Sequence, residues 1–202
     1  MVQEAFQSDS TVWSWMRLVH SFRLELRSRP TRNIALALCV CLAIMICVYQ
    51  PVEIEGTSMN PVLWDQERIF VNKLVYRFEP IERGDIIVFS YPLDPSKSFI
   101  KRVVGLPGET IEMRTGRVYV NGRQLSDQYV PSAYLDVSNY PERAIPEETY
   151  FVVGDHRDGS NDSRVFGPVA DTDIRGKAVF AYWPFGHFGW LPSPSPVSAA
   201  SK

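Results

Sequence analysis

The sequence predicts a mainly β protein preceded by one membrane-spanning helix, and three observations carry that reading. Beyond residue 52 the apolar residues fall in short runs rich in β-branched and aromatic types. The chain has 15 prolines and 12 glycines, nearly all in this part, which leaves no room there for a long helix. Residues 34–49, in contrast, are uncharged and apolar. With the continuation to Val52 they approach the short limit of the roughly 17–25 residues that a spanning helix needs.

Residues 1–33 form the N-terminal segment, within which 12–26 reads as a short amphipathic helix lying on a membrane. Arg17, Arg23, Arg27, Arg29 and Arg32 precede the apolar run, and no Lys or Arg follows it until Arg68. The positive-inside rule therefore expects a cytoplasmic N-terminus, an anchor over 34–52 and everything later outside. A cleaved signal peptide is the main rival. Its charged leader of about thirty residues would be unusually long, and no small-x-small triplet follows the run. Cys39, Cys41 and Cys47 all lie inside it. The later part therefore has neither a disulfide framework nor a cysteine-based metal site.

Residues 53–191 read as the β-rich domain. Strands are expected over 68–76, 85–91, 99–104, 117–120, 150–153 and 177–183. Asn121-Gly122 is a two-residue hairpin signal. From 106 to 149 the chain turns polar and turn-rich, a composition shift that marks an insertion. The segment 182–190 is dense in aromatics, suited to core packing or to contact with a bilayer. Residues 192–202 are Pro/Ser/Ala-rich and read as a disordered tail. Apolar residues make up 45% and the formal charge is −2, which argues against a disordered chain and against a nucleic-acid partner.

Serine is a poor nucleophile unless a base takes its proton. The β-rich part has two histidines, His156 and His187, neither in a pattern that suggests a Ser-His-Asp triad. A neutral lysine can serve instead, provided burial lowers its pKa from near 10.4. Lys101 suits that need. Strand alternation puts it on one face with Phe99 and Val103. A lone lysine in a strand is usually solvent-facing, and a lone Ser58 is usually a turn residue.

Their company changes that reading. Ser58-Met59-x-Pro61, Arg83-Gly84-Asp85, Lys101-Arg102-Val103-x-Gly105-x-Pro107-Gly108 and Gly154-Asp155-x-Arg157-x-x-Ser160-x-Asp162-Ser163-Arg164 occur in this order. In order and spacing these blocks resemble the type I signal peptidases, membrane serine proteases with a Ser-Lys dyad. The resemblance runs from about Pro51 to Trp183. It implies a coiled β-sheet catalytic core with a smaller inserted β-region. It further implies Ser58 as nucleophile, Lys101 as general base and Ser160 as the hydroxyl that bonds the lysine amine. Asp162 and Arg164 match a supporting ion pair, and Met59 matches a residue lining the substrate cleft.

Two positions depart from the pattern. Many relatives have Asn where this chain has His156. Some carry a Ser or Thr hydroxyl for the oxyanion where this chain has Gly56, which leaves the Ser58 N–H together with another backbone N–H or a water, and Thr57 as a weaker donor. The resemblance implies cleavage after small-x-small sites of preprotein signal peptides, at the bacterial inner (plasma) membrane. The lipid bilayer is an expected partner and the protein-export translocon a further candidate. No cofactor and no metal is expected. Two other readings stay open: a specialised Ser-Lys processing peptidase of a secretion or conjugation system, and an inactive membrane-tethered binding module.

Overall fold

The computed structural model describes residues 29–126 and 130–192, so the amphipathic segment expected over 12–26 and the tail beyond 192 lie outside the described residues. The described chain divides after Cys47 into two compact units.

The described residues of the first form the helix α1 (Arg29–Val48), whose last residue opens the second. Its 20 residues make it about 30 Å long, which matches the hydrocarbon thickness of a bilayer. The stretch Pro30–Val48 is long and apolar enough to cross a membrane, and none of it is buried within the protein. The helix starts five residues before the expected anchor and stops four short of its end. Pro51 explains the stop: it disfavours helical geometry at Gln50 and removes a donor. The chain instead enters β1 (Tyr49–Glu53). Proline is tolerated there because β1 is an edge strand, paired on one side only.

The second unit is built on a sheet that also contains β2 (Arg68–Asn72), β3 (Ile86–Tyr91), β4 (Asp94–Gly105), β9 (Thr149–Val153), β10 (Val169–Ala170), β11 (Ile174–Trp183) and β12 (Gly189–Trp190). Its order is β1-β2-β11-β3-β4-β9-β10, with β12 added on β11 and every neighbouring pair antiparallel. β3 is buried on both faces. Ile86 and Val88 pack into one core with Met59, Leu63 and Ile69, while Ile87 and Phe89 pack into another with Val103 and Val152. That explains an uninterrupted apolar run where alternation would mark a half-exposed strand.

Between β4 and β9 the chain makes a second sheet from β5 (Thr110–Arg114), β6 (Arg117–Val120), β7 (Arg123–Gln124) and β8 (Tyr140–Ala144), ordered β7-β6-β5-β8. Asn121-Gly122 makes the β6–β7 turn, with both residues at positive φ. Ile111, Met113, Val118 and Val120 from this sheet join Val104, Phe151 and Val153 in a third core cluster.

The strand expected over 68–76 is shorter. Asn72 Oδ1 accepts from the backbone N–H groups of Leu74 (3.0 Å) and Val75 (3.1 Å), which diverts the chain into a 3-10 turn at Val75–Arg77. In the β-rich unit, the longest described α-helix is the four-residue α2 (Ser163–Phe166).

Candidate active site

Two backbone segments bring the chemistry together. Lys101 sits near the buried end of β4, opposite Ile87 of β3. Ser58 sits in the turn that follows β1, where the Asn60 N–H donates to Thr57 O (3.1 Å) and the Leu63 N–H to Met59 O (2.9 Å). The sequence separates the two residues by 43 positions, and the fold places Lys101 Nζ 2.7 Å from Ser58 Oγ. A second Nζ contact, 2.9 Å, runs to Ile100 O.

Lys101 is only 4% exposed, with the Phe99 ring centroid 5.3 Å from Nζ. Burial pulls its pKa down from 10.5 to about 8, against the opposing pull of the Asp162 and Asp155 carboxylates. Near pH 8 about half of such lysines carry a lone pair. A neutral amine can donate one N–H to Ile100 O and still accept from the Ser58 hydroxyl, which is the geometry a general base requires.

The pair opens onto a groove of about 650 Å³. Residues 52–58 line one side and 97–101 another, with Val88, Gly159 and Asn161 completing it. Met59, expected on the cleft wall, is not among the lining residues. Its side chain is 1% exposed and packs with Ile54, Leu63 and Ile69 in the core, where it fixes the turn that carries Ser58.

Gly56 lines the groove at φ +93°, a conformation that side chains rarely adopt. Its N–H donates to Asp65 Oδ1 at 2.6 Å. That donor is therefore already engaged, whereas no described residue accepts from the Ser58 N–H.

The loop after β9 closes the site from behind. His156 N–H donates to Ser58 O at 3.1 Å. This approach needs Gly154, because a Cβ there would land on Ser58 O and on Ser160 Oγ. The His156 ring lies beside Thr57 O (3.3 Å) and edge-on to Tyr134, and has no contact with Ser58 Oγ. Ser160 Oγ is buried and makes no hydrogen bond. The lysine's two contacts go elsewhere, so the expected Ser160–Lys101 bond is not made here.

Asp162 and Arg164 do pair. Arg164 Nε donates to Asp162 Oδ1 (2.8 Å) and Nη2 to Oδ2 (2.8 Å). The Asp162 carboxylate, fully buried, also accepts from Gly154 N–H (3.1 Å) and caps α2.

Sequence reasoning missed two supports. Arg102, adjacent to Lys101, makes a buried two-pronged bond to Asp155 at 2.8 and 2.7 Å, which ties β4 to the loop after β9. Asp136, from the segment between β7 and β8, takes Arg164 Nη1 at 2.6 Å. Both partners of the first pair stand in the quoted motifs, so their proximity was a readable signal. Nothing local marks Asp136. No cluster of three or more His, Cys, Asp or Glu suited to a metal occurs among the described residues.

Residues 28–183 match the family model for signal peptidase, peptidase S26. The chain belongs to this family. The peptidase is 39% identical to signal peptidase I of Leptolyngbya laminosa over 81% of this chain and 84% of that one. It is 37% identical to signal peptidase I of Bacillus amyloliquefaciens, over 75% and 83%. A solved signal peptidase I from Enterococcus faecalis V583 aligns at 37% identity with a TM-score of 0.43, covering 49% of the peptidase and 97% of that chain. The peptidase is thus a serine hydrolase of mainly β fold carrying one N-terminal apolar helix.

Proposed function

We propose that this peptidase removes signal peptides from exported preproteins through a Ser58–Lys101 dyad. The observation that carries the reading is the 2.7 Å contact between Lys101 Nζ and Ser58 Oγ in a buried corner of an open groove. Neutral Lys101 takes the proton as Ser58 Oγ attacks the carbonyl that ends the signal peptide. The tetrahedral oxyanion accepts from the Ser58 N–H, and collapse gives an ester to the signal peptide while the mature protein leaves with a proton from Lys101. Water, deprotonated by the same amine, hydrolyses the ester. A charged Lys101 needs a third acceptor, and Ser160, whose buried oxygen lacks a partner, is the residue that supplies it.

Small residues at the −1 and −3 positions suit the shallow apolar surface that Val52, Ile54, Val88 and Ile100 give to the groove. The Arg-rich flank before the apolar run supports an N-terminus in the cytoplasm and a catalytic unit outside, in a bacterial inner membrane.

The test is cleavage of a preprotein by detergent-solubilised wild type, Ser58→Ala and Lys101→Ala, with N-terminal sequencing of the product. Wild type is expected to cut after a small-x-small site, and both folded variants to be inert. Near-normal cleavage by Lys101→Ala would remove the dyad.

A further inference from the structure

A second pocket has the opposite character to the catalytic groove. Lys73, Tyr76, Arg77, Asp171, Arg175 and Gly176 line an open space of about 260 Å³, which shares no residue with the groove. Three cationic side chains there face one carboxylate.

The side chains of Lys73 and Arg77 are exposed and have no hydrogen-bond or ion-pair partner among the described residues. Arg175 spends Nε on Ser90 Oγ (2.9 Å) and one Nη2 contact on Pro95 O (3.5 Å), which leaves further donors of its five free. Tyr76 turns its hydroxyl away to Asp85 (2.9 Å), and Asp85 in turn pairs with Lys177 (2.6 Å). Those inner charges neutralise each other, so the excess positive charge belongs to the pocket surface. Glu79 is the nearest acidic neighbour in the chain beyond Arg77.

Two further observations say what this surface meets. Lys73 N–H donates to Val48 O at 2.9 Å, and Val48 is the residue at which the apolar helix ends. Phe78, the neighbour of Arg77, is 83% exposed. Lys73, whose backbone lies one hydrogen bond from the residue that ends the apolar helix, and the unburied ring of Phe78 bring together the two halves of an amphiphile's complement.

We propose that this pocket binds the phosphate of an anionic phospholipid headgroup, with Phe78 entering the acyl boundary beside it. The arginine forks and the Lys73 ammonium are the donors that a phosphodiester accepts from. The choice of lipid over free phosphate rests on reading α1 as a membrane span, and on Phe78, for which inorganic phosphate has no use.

The test uses the full chain in neutral detergent micelles, titrated calorimetrically with dihexanoyl phosphatidylglycerol, dihexanoyl phosphatidylcholine and inorganic phosphate. Phosphatidylglycerol is expected to bind, phosphatidylcholine to bind at least about fivefold more weakly, and millimolar phosphate to leave the lipid in place. Each cation near an anionic headgroup strengthens binding about fivefold, so Lys73→Ala/Arg77→Ala should weaken phosphatidylglycerol about twenty-five-fold. Phe78→Ser should weaken it while leaving any phosphate binding unchanged. Both variants are at exposed positions and should cleave a detergent-soluble peptide at the wild-type rate, which certifies their fold.

Equal binding of the two lipids, or an unchanged double variant, overturns the pocket. Displacement of lipid by phosphate overturns the lipid as occupant. Carbonate extraction of the full chain from vesicles tests the span separately. A chain that washes off overturns the span and with it the lipid occupant, whereas a chain that resists extraction supports the span on which the choice of lipid rests.

Discussion

Burying Lys101 carries an electrostatic cost, and in the proposed dyad that cost is also what makes it useful. Lowering its pKa from 10.5 to about 8 corresponds to about 3 kcal/mol of preference for the neutral form. Below pH 8 both folded and unfolded chains hold the proton, and the folded state bears the whole penalty. Between pH 8 and 10.5 the unfolded chain keeps the proton that the folded one has lost, so stability rises with pH through that window. Lys101→Met should therefore be more stable than wild type by up to about 3 kcal/mol at pH 6. The advantage should shrink as pH climbs past 8, as followed by urea unfolding across the range. In activity the same group predicts that kcat/KM for a soluble peptide rises with pH to a plateau, with a midpoint near 8. Asp65 acts one step further out, through its 2.6 Å bond to the positive-φ Gly56. Asp65→Ala should lower kcat about tenfold with little change in KM, the equivalent of one lost charge-assisted bond, and Asp65→Asn should restore most of it.

Among the elements, β4 contributes most to the site, because successive residues of one strand serve opposite faces. Lys101 reaches Ser58, and Arg102 turns the other way to Asp155. Removing one partner of so buried a pair leaves an uncompensated charge. Arg102→Met should cost about 3–5 kcal/mol, and Arg102→Met with Asp155→Leu should recover much of it, by thermal unfolding. The alternation of 99–104 made the lysine's face legible in the sequence, and the Asn-Gly turn made the β6–β7 hairpin legible. Other features were not. Met59 could not be assigned to core or cleft without knowing that the turn after β1 folds inward. The end of β2 depended on the side chain of Asn72, which competes with the sheet for backbone donors. Asp136 reaches Arg164 across 28 positions with no local pattern to announce it.

On the scale of the molecule, the helix and the sheet abut in the chain with no linker between Val48 and Tyr49. The expected anchor end at residue 52 would have cut through β1. A chain beginning at Val48 should keep the edge strand and stay soluble in mild detergent with a cooperative melt. One beginning at Ile54 should melt several degrees lower, because β2 loses the five backbone pairings from Tyr49–Asn72 to Glu53–Arg68. Mainly β architecture was readable from turn residues and short apolar runs. The order β1-β2-β11-β3-β4-β9-β10 was not, since it depends on pairings between strands more than a hundred residues apart.

Gly154 gives the site its spacing by what it lacks. Ser58 O and Ser160 Oγ occupy the volume that any side chain there would claim. A population challenged with a groove-filling inhibitor therefore has unequal routes of escape. It can vary Glu53, Glu55 or Lys97 on the exposed walls, where a new side chain meets solvent. It cannot vary Gly154 without pushing the Ser58 backbone aside. In a saturation library selected for growth under such a compound, resistant clones should gather at the walls, and position 154 should return only glycine.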